Sequence, residues 1–234
     1  MRLQACLNGA RPAETRRLPL TAEAMAADAA AAWRAGAESL HLHPRAPDRT
    51  ESLAPEDVTA ALRAVRAAVP GLPVGISTGD WIAPRAGRLA DMAGWQARPD
   101  FVSINLSEPD APEVMALMRR MGVGIELGLA SMADVTRLLS LPTPAAGAVR
   151  AMIEMEAQDF AAARAVAEAM RAALIPLDLP ILLHGFDATA WAFIDLAADW
   201  GCQTRIGMED VLALPDGRAA GNAALVAEAA RRLA

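Results

Sequence analysis

The feature that most constrains the fold of this chain is a regular alternation of short β-type runs with longer helical segments. Eight runs alternate with eight segments rich in Ala, Leu, Arg and Glu, which is the pattern of βα units around a parallel sheet. The predicted strands are residues 3–9, 39–44, 73–79, 101–107, 124–129, 148–155, 180–185 and 203–209. The predicted helices lie near residues 21–36, 55–69, 85–95, 111–122, 131–141, 159–174, 189–200 and 221–233. Because no interior linker stands out between these units, we expect one catalytic domain over residues 1–234.

The polar residues of the predicted strands follow the two-residue period of a β-strand. Successive side chains of a strand point to opposite faces. His41 and His43 therefore share one face of the second run, and Arg205 and Glu209 share one face of the eighth. The remaining runs also alternate polar with aliphatic positions, and their polar members include Asn8, Ser77, Ser103, Asn105, Ser107, Glu126, Arg150, Glu154 and His184.

Eight βα units can close into a barrel or form an open, doubly wound sheet. In a barrel the aliphatic faces pack under the helices and the polar faces converge at the carboxyl-end mouth, where barrel enzymes have their active sites. An open sheet instead binds ligands at one switch point, usually after a glycine-rich first loop, and Asn8-Gly9-Ala10-Arg11 lacks the G-x-G-x-x-G pattern. We therefore predict a single (β/α)8 TIM barrel.

Composition excludes several classes of partner. The formal net charge is -6 and the arginines are scattered, so the chain lacks the basic stripe that nucleic-acid binding requires. No apolar run approaches the roughly 18 residues of a membrane span. Cys6 and Cys202 are too few for a disulfide scaffold, and residues 1–20 contain four arginines without the apolar run of a signal peptide. We expect a cytoplasmic protein that acts on a small molecule.

A His-x-His pair on one strand face is suited to metal binding. The imidazoles of His41 and His43 are expected about 6–7 Å apart along the chain, close enough to share one cation at about 2.0–2.1 Å from each nitrogen. Glu209 is the best third ligand because it faces inward on the eighth run. The alternative is that both histidines are polar residues of the barrel mouth with no metal.

Seven short segments, spread from the first predicted strand to the last predicted helix, form a specific combination. They are Asn8-Gly9-Ala10, His41-Leu42-His43-Pro44-Arg45, Ile76-Ser77-Thr78-Gly79, Ser103-Ile104-Asn105, Glu126-Leu127-Gly128-Leu129, Arg205-Ile206-Gly207-Met208-Glu209-Asp210 and Asn222-Ala223-Ala224-Leu225-Val226. In this order they resemble the β-keto acid cleavage enzymes, which include the 3-keto-5-aminohexanoate cleavage enzyme. The resemblance implies a zinc-dependent barrel that converts a β-keto acid and acetyl-CoA into acetoacetate and a new CoA thioester. We also expect a homo-oligomer.

The resemblance assigns roles to individual residues. It implies a zinc set of His41, His43 and Glu209, the same three residues that strand parity indicates. It implies that Arg205 is the catalytic arginine and that Asp210 is an acid/base group. The alternative for Asp210 is a helix cap or a surface acid.

Three further residues receive roles from the resemblance. Ser77 matches the hydroxyl that contacts the substrate carboxylate, although it could equally serve a tight turn. Asn105 lies where the family has another substrate contact. Glu126 matches a buried glutamate near the catalytic arginine, so an inward ion pair of Arg205 with Glu126 or Glu154 is an alternative role for that arginine.

One position departs from the family pattern. Many members carry a glutamate after the Asn-Gly-Ala segment, where this chain has Arg11. A guanidinium at the mouth is expected to exclude substrates that carry an ammonium group. The alternative is that Arg11 points into solvent or pairs with Glu14.

The predicted function is that of a metal-dependent C–C bond-cleaving acyltransferase. A second hypothesis keeps the metal but replaces the CoA partner with water or a simple retro-aldol cleavage, since one fold hosts many reactions. A third is a ligand-binding barrel without catalysis, which the Arg11 departure favours. The presence of Arg205, Glu209 and Asp210 counts against the third hypothesis.

Overall fold

The elements of the fold alternate strictly between strand and helix along the chain. The computed structural model describes residues 3–15 and 17–234. Its strands are β1 Leu3–Cys6, β2 Ser39–Leu42, β3 Val74–Ser77, β4 Phe101–Asn105, β5 Gly124–Leu129, β6 Ala148–Met155, β7 Ile181–Gly185 and β8 Thr204–Ile206. Its α-helices are α1 Ala22–Arg34, α2 Pro55–Ala68, α3 Arg85–Ala93, α4 Ala111–Met121, α5 Met132–Leu139, α6 Phe160–Leu174, α7 Ala190–Trp200 and α8 Asn222–Leu233. Short 3-10 turns lie at Ile175–Leu177 and Asp187–Thr189.

The eight described strands are parallel and form one sheet in the order β7-β6-β5-β4-β3-β2-β1-β8. The two ends of this sheet meet through backbone hydrogen bonds from Leu183 N to Gln203 O at 2.9 Å and from Gln203 N to Ile181 O at 2.9 Å. The hydroxyl of Thr204 also donates to the carbonyl of Leu183 at 2.7 Å. The sheet is therefore a nearly closed barrel, and the prediction of a single (β/α)8 TIM barrel is confirmed.

The two faces of the strands divide as the sequence predicts. The aliphatic positions are buried in one core cluster with the helices, as shown by Leu40, Leu42, Ile76, Val102, Ile104, Ile125, Leu127, Ile153, Leu183 and Ile206. Most of the alternating polar positions are also buried, whereas Asn105 and Glu154 are half-buried and Ser107 is exposed. Packing of the helices on this apolar face of the strands stabilises the barrel. Polar side chains can therefore fill its interior. Cys6 and Cys202 are free and buried.

Side chains cap the N-termini of three helices. Thr21 accepts a hydrogen bond from Ala24 N at 3.2 Å, Ser131 from Asp134 N at 3.3 Å and Asp159 from Ala162 N at 2.8 Å. Each bond satisfies an N–H that the first turn of a helix leaves free. None of the helices described has the length and apolar character needed to cross a membrane.

The first, second, third, fourth and eighth predicted strands each end two or three residues earlier than their sequences suggest. β2 ends at Leu42 and β8 ends at Ile206, so His43 and Glu209 both lie just beyond a strand. After β8 the chain enters a turn in which Gly207 O accepts from both Asp210 N and Val211 N at 2.9 Å. The strand prediction for residues 203–209 is therefore wrong at its end, because this turn replaces the last ladder bonds.

Gly207 is required for the close approach of β1 and the turn after β8. A Cβ atom at this position would overlap the backbone carbonyl of Cys6, which cannot move without breaking the barrel. We expect Gly207→Ala to lower the free energy of unfolding by about 2–4 kcal/mol. Chemical denaturation of both proteins measures this difference.

Gly87 offers a matched control for the same substitution. It lies inside α3, and a Cβ there would have no atom within 4 Å. Gly87→Ala should raise the free energy of unfolding by about 0.5–1 kcal/mol, since Ala is the better helix former. Equal effects of the two substitutions would contradict this account of Gly207.

Candidate active site

A cavity of about 540 Å³ opens at the carboxyl ends of the strands. This is the end at which TIM-barrel enzymes carry out their chemistry. Six of the eight residues expected to bind metal or substrate or to act in catalysis line it, namely His41, His43, Ser77, Asn105, Arg205 and Glu209. Glu126 and Asp210 are fully buried and do not line it. The structure thus brings most of the predicted site residues to one cavity and places two of them behind its wall.

His41, His43 and Glu209 present three donor atoms to one point. The two Nε2 atoms lie 3.1 Å apart, and each lies 3.7 Å from Glu209 Oε2. Ligands about 2.0–2.1 Å from a tetrahedral ion are separated by roughly 3.3 Å. Glu209 Oε2 is buried and accepts no hydrogen bond from the described residues. The donor set therefore fits one divalent cation with open positions for other ligands.

Side chains from other elements hold the backbone that carries these donors. Asn8 donates to His43 O at 2.9 Å and accepts from His43 N at 2.9 Å. Asn222 accepts from Met208 N at 2.7 Å and donates to Leu7 O at 2.7 Å. On either side of β1, these two side chains supply hydrogen bonds where the backbone ladder between the strands has ended. Both occur in the matching segments, yet nothing in the local sequence predicts this role.

The electrostatics of the three donors also favour a cation. Burial lowers the pKa of His41 to about 4. Burial opposes protonation of His43 as well, but the carboxylate of Glu209 outweighs it and raises the pKa of His43 to about 9. Burial opposes ionisation of Glu209, yet Arg205 and the imidazoles hold its pKa well below the usual range. The ionised carboxylate and the two imidazoles favour one positive charge between them. A bound metal ion would supply that charge.

Glu51 faces His43 from the other side of the ring. Glu51 Oε1 lies 3.4 Å from His43 Nδ1, and Glu51 Oε2 accepts from the indole N–H of Trp81 at 2.7 Å. A carboxylate on the far nitrogen of a histidine ligand fixes the ring orientation. Trp81 lines the cavity and is 53% exposed. Glu51 lies in the β2–α2 connection, and no sequence pattern there marks it.

Arg205 binds two carboxylates that follow it in the chain. Its Nη2 lies 2.6 Å from Glu209 Oε1 and 2.7 Å from Asp210 Oδ1, and its Nε lies 3.1 Å from Asp210 Oδ1. The alternative of an ion pair with Glu126 or Glu154 is therefore wrong. Arg205 lines the cavity while only 2% exposed, so its charge is fixed in place at the edge of the metal donors.

Asp210 is neither a helix cap nor a surface acid. It is fully buried behind Arg205, and its Oδ2 has no hydrogen-bond partner among the described residues. Burial raises its pKa despite the neighbouring guanidinium of Arg205. His184 Nδ1 lies 3.6 Å from Asp210 Oδ1. A buried carboxylate with a raised pKa and a free oxygen has the properties of a proton-transfer group.

Glu126 pairs with a different arginine. Arg150 Nε donates to Glu126 Oε2 at 2.5 Å, and Ser103 Oγ donates to Glu126 Oε1 at 3.1 Å. Burial opposes ionisation of Glu126, but Arg150 lowers its pKa below the usual value. Ser103 lines the cavity, so its hydroxyl connects the buried Glu126 to the cavity.

Ser77 and Asn105 lie on neighbouring parts of the cavity wall. Ser77 Oγ accepts from Gly79 N at 3.3 Å, so it serves the turn after β3 and also faces the cavity. Asn105 Nδ2 donates to Glu108 Oε1 at 3.1 Å. Arg88, which is fully buried, donates to Glu108 Oε2 at 2.8 Å. A salt bridge behind the wall thus orients Asn105.

Arg11 does not pair with Glu14. Its Nη2 lies 2.7 Å from Asp187 Oδ1 and 3.2 Å from Asp210 O, and its Nε donates to Glu209 O at 3.1 Å. The guanidinium therefore binds the loops after β7 and β8 at the cavity edge. The expected exclusion of ammonium groups requires that the positive charge of Arg11 is unpaired. Arg11 pairs with Asp187, so this requirement is not met.

A family model places the chain among known proteins. The model described as beta-keto acid cleavage enzyme matches residues 1–234. No curated protein sequence matches the chain significantly. The family match covers the complete printed sequence and agrees with the resemblance carried by the seven segments.

Solved structures resemble the fold at low sequence identity. The apo structure of ObcA superposes with a TM-score of 0.72 at 18% identity, covering 93% of this chain and 62% of that one. The chain thus spans less than two thirds of the length of ObcA. 3-Dehydroquinate dehydratase from Geobacillus kaustophilus matches with a TM-score of 0.63 at 12% identity over 99% of this chain and 89% of that one. 3-Hexulose-6-phosphate synthase from Salmonella typhimurium matches with a TM-score of 0.63 at 14% identity over 100% and 98%. These likenesses show the barrel fold alone.

Proposed function

The chain belongs to the β-keto acid cleavage enzyme family, and from this premise we propose that it is a zinc-dependent acyltransferase. Its substrates in this proposal are a β-keto acid and acetyl-CoA, and its products are acetoacetate and a new acyl-CoA. The observation that carries the proposal is the convergence of His41, His43 and Glu209 beside the fixed charge of Arg205 at the barrel mouth. We also propose a cytoplasmic location and a homo-oligomer.

The metal donors and Arg205 suit an anionic substrate. When bound, a divalent ion supplies a Lewis acid that polarises a carbonyl oxygen. Arg205 keeps a permanent positive charge at the same edge of the cavity, where a carboxylate or a developing oxyanion is stabilised. The hydroxyl of Ser77, which faces this cavity, donates a hydrogen bond to the substrate carboxylate in this proposal.

Asp210 and Glu126 act from behind the cavity wall. In this proposal Asp210 takes up the proton that the nucleophile loses, at Oδ2, the oxygen that no described residue binds. Arg205, whose guanidinium keeps its own proton, holds this carboxylate beside the cavity. Glu126 holds the hydroxyl of Ser103 toward the wall. Asn105 contacts the substrate directly. These roles rest on the family resemblance together with the contacts of each side chain.

The metal site is tested by removing both of its imidazoles. We expect the purified protein to bind about one zinc ion per chain, and His41→Ala/His43→Ala to lose it, since one carboxylate alone binds zinc weakly. His184→Asn is the matched control because His184 is the third of the chain's 3 histidines and lies outside the donor set. Elemental analysis of folded protein measures the zinc. Unchanged stoichiometry in the double variant would remove the proposed site.

Asp210→Asn tests proton transfer separately from metal binding. We expect turnover to fall by about 10²-fold or more while the zinc content is retained, because the amide cannot take up a proton. Asp216→Asn, an exposed change in the same β8–α8 connection, should leave turnover within about twofold. Steady-state kinetics and elemental analysis of both variants measure these effects. Near-normal turnover of Asp210→Asn would make Asp210 a structural acid.

The acyl-transfer reaction is tested with a panel of β-keto acids. We expect a CoA thioester to form only when acetyl-CoA is present, with one acetoacetate per thioester, and chromatography of the thioesters measures this. Cleavage without acetyl-CoA would favour a retro-aldol or hydrolytic lyase. Binding of the acids without any cleavage would favour the ligand-binding barrel.

A further inference from the structure

The turn that follows β8 carries both Glu209 and Asp210. Its backbone N–H groups have partners on one side, where Met208 N donates to Asn222 Oδ1 at 2.7 Å and Asp210 N donates to Gly207 O at 2.9 Å. The turn lies beyond the end of β8, so its carbonyl groups need partners other than a neighbouring strand.

The guanidinium of Arg11 supplies those partners. Its Nε donates to Met208 O at 3.2 Å and to Glu209 O at 3.1 Å, and its Nη2 donates to Asp210 O at 3.2 Å. Three consecutive carbonyl oxygens of the turn therefore meet one cation. A planar guanidinium has several N–H donors in a fixed arrangement, whereas the ammonium of a lysine has a single nitrogen and cannot reproduce this set.

Asp187 holds Arg11 in this position. Its Oδ1 lies 2.7 Å from Arg11 Nη2, and its backbone N donates to Asp210 O at 2.8 Å. Asp187 has a φ of 46°, a left-handed conformation that Asp adopts more readily than most residues. The loop after β7, the arginine and the turn after β8 are thus joined in a closed ring of hydrogen bonds.

The segment that carries Arg11 also contacts the side chain of Glu209. A Cβ atom at Gly9 would overlap Cγ and Cδ of Glu209, so the backbone of Gly9 lies directly against that side chain. The β1–α1 connection therefore holds Glu209 at two points, through Gly9 at its side chain and through Arg11 at its carbonyl. Ligand side chains have to stay within about 0.5 Å of the productive geometry, and movement of this turn would displace the carboxylate of Glu209 from the imidazoles.

We propose that Arg11 is a positioning residue that holds the turn of Glu209 and Asp210 in place for metal binding and proton transfer. This role rests on the proposed function of the cavity. Without the guanidinium, three carbonyl oxygens lose their shared donor and the turn loses its connection to the β1–α1 segment. Arg11 therefore acts on the backbone of the site, whereas the glutamate that many family members carry at this position has no N–H to donate to these carbonyls.

Two substitutions at Arg11 separate the shape of the guanidinium from its charge. Arg11→Met keeps an apolar stem and removes every donor, whereas Arg11→Lys keeps the charge on one nitrogen. For the folded full chain, chelator competition measures the zinc dissociation constant, and kcat and KM are measured at saturating zinc.

The expected result is a loss of zinc affinity together with a loss of kcat. We expect Arg11→Met to weaken zinc binding by about tenfold or more and to lower kcat by about tenfold, with KM changed by less than about threefold. Arg11→Lys should recover less than about threefold of either loss, because the charge alone cannot bind the three carbonyls.

Arg17→Met is the matched control. It removes the same charge from an exposed position in the same β1–α1 connection, and both quantities should stay within about twofold of the unaltered protein. Asp187→Asn keeps an acceptor for Arg11 and its own backbone N–H, so it should weaken zinc binding less than Arg11→Met does.

Amide hydrogen exchange tests the same contacts with no metal or substrate present. We expect the amides of residues 207–211 to exchange faster in Arg11→Met than in the unaltered protein, while those of β4 on the other side of the barrel keep their rates. Unchanged exchange at residues 207–211 would overturn the positioning role, whether or not the cavity binds zinc.

The kinetic and zinc measurements can also contradict it. Normal zinc affinity in Arg11→Met, full recovery in Arg11→Lys or an equal loss in Arg17→Met would each overturn the role, and a change of KM alone in Arg11→Met would make Arg11 a substrate contact instead. Loss of zinc affinity in Arg11→Met, in a protein that forms no thioester, would support the positioning role and contradict the proposed reaction. Thioester formation with unchanged zinc affinity and kcat in Arg11→Met would support the reaction and contradict the positioning role.

Discussion

The ion pairs of Arg205 inside the barrel determine where the other groups of the site can lie. Its guanidinium is 2% exposed and binds Glu209 and Asp210. A buried charge without a partner costs several kcal/mol, so neither carboxylate can leave this arginine freely. Because one oxygen of Glu209 is held by Arg205, the other is directed at the two imidazoles. The three candidate metal donors are therefore held together by the protein's own contacts.

The same arrangement depends on backbone held beyond the ends of the strands. His43 and Glu209 follow β2 and β8, which lie on either side of β1. Asn8 continues the pairing between β1 and the end of β2, and Asn222 fixes the turn after β8 against Leu7. Side-chain amides can supply a donor and an acceptor together, so they take the place of ladder bonds where the strands diverge toward the mouth.

The alternation of side chains in the sequence was sufficient to predict the barrel, its core face and the convergence of His41, His43 and Glu209. It could not predict partners that depend on three-dimensional register. Arg150 and Arg205 both point inward. The parallel register of β5 with β6 places Glu126 beside Arg150. Arg11 meets Asp187, which is 176 positions away, whereas the sequence suggested nearby Glu14. Glu209 faces the predicted donors, but from a turn rather than a strand, because hydrogen bonds to Gly207 end the ladder.

The strand order also gives the cavity a direction. β1 lies between the strands that precede His43 and Glu209, and in a ring of eight strands the position opposite β1 belongs to β5. The three candidate metal donors, which follow β2 and β8, therefore lie across the barrel from β5. On the first side the guanidinium of Arg205 reaches the cavity from between Glu209 and Asp210. On the second side Asn105 on β4 and Glu154 on β6 line the cavity next to β5. In the proposed function, a substrate carboxylate held on the Arg205 side leaves the rest of the molecule to extend toward the wall formed by β4, β5 and β6.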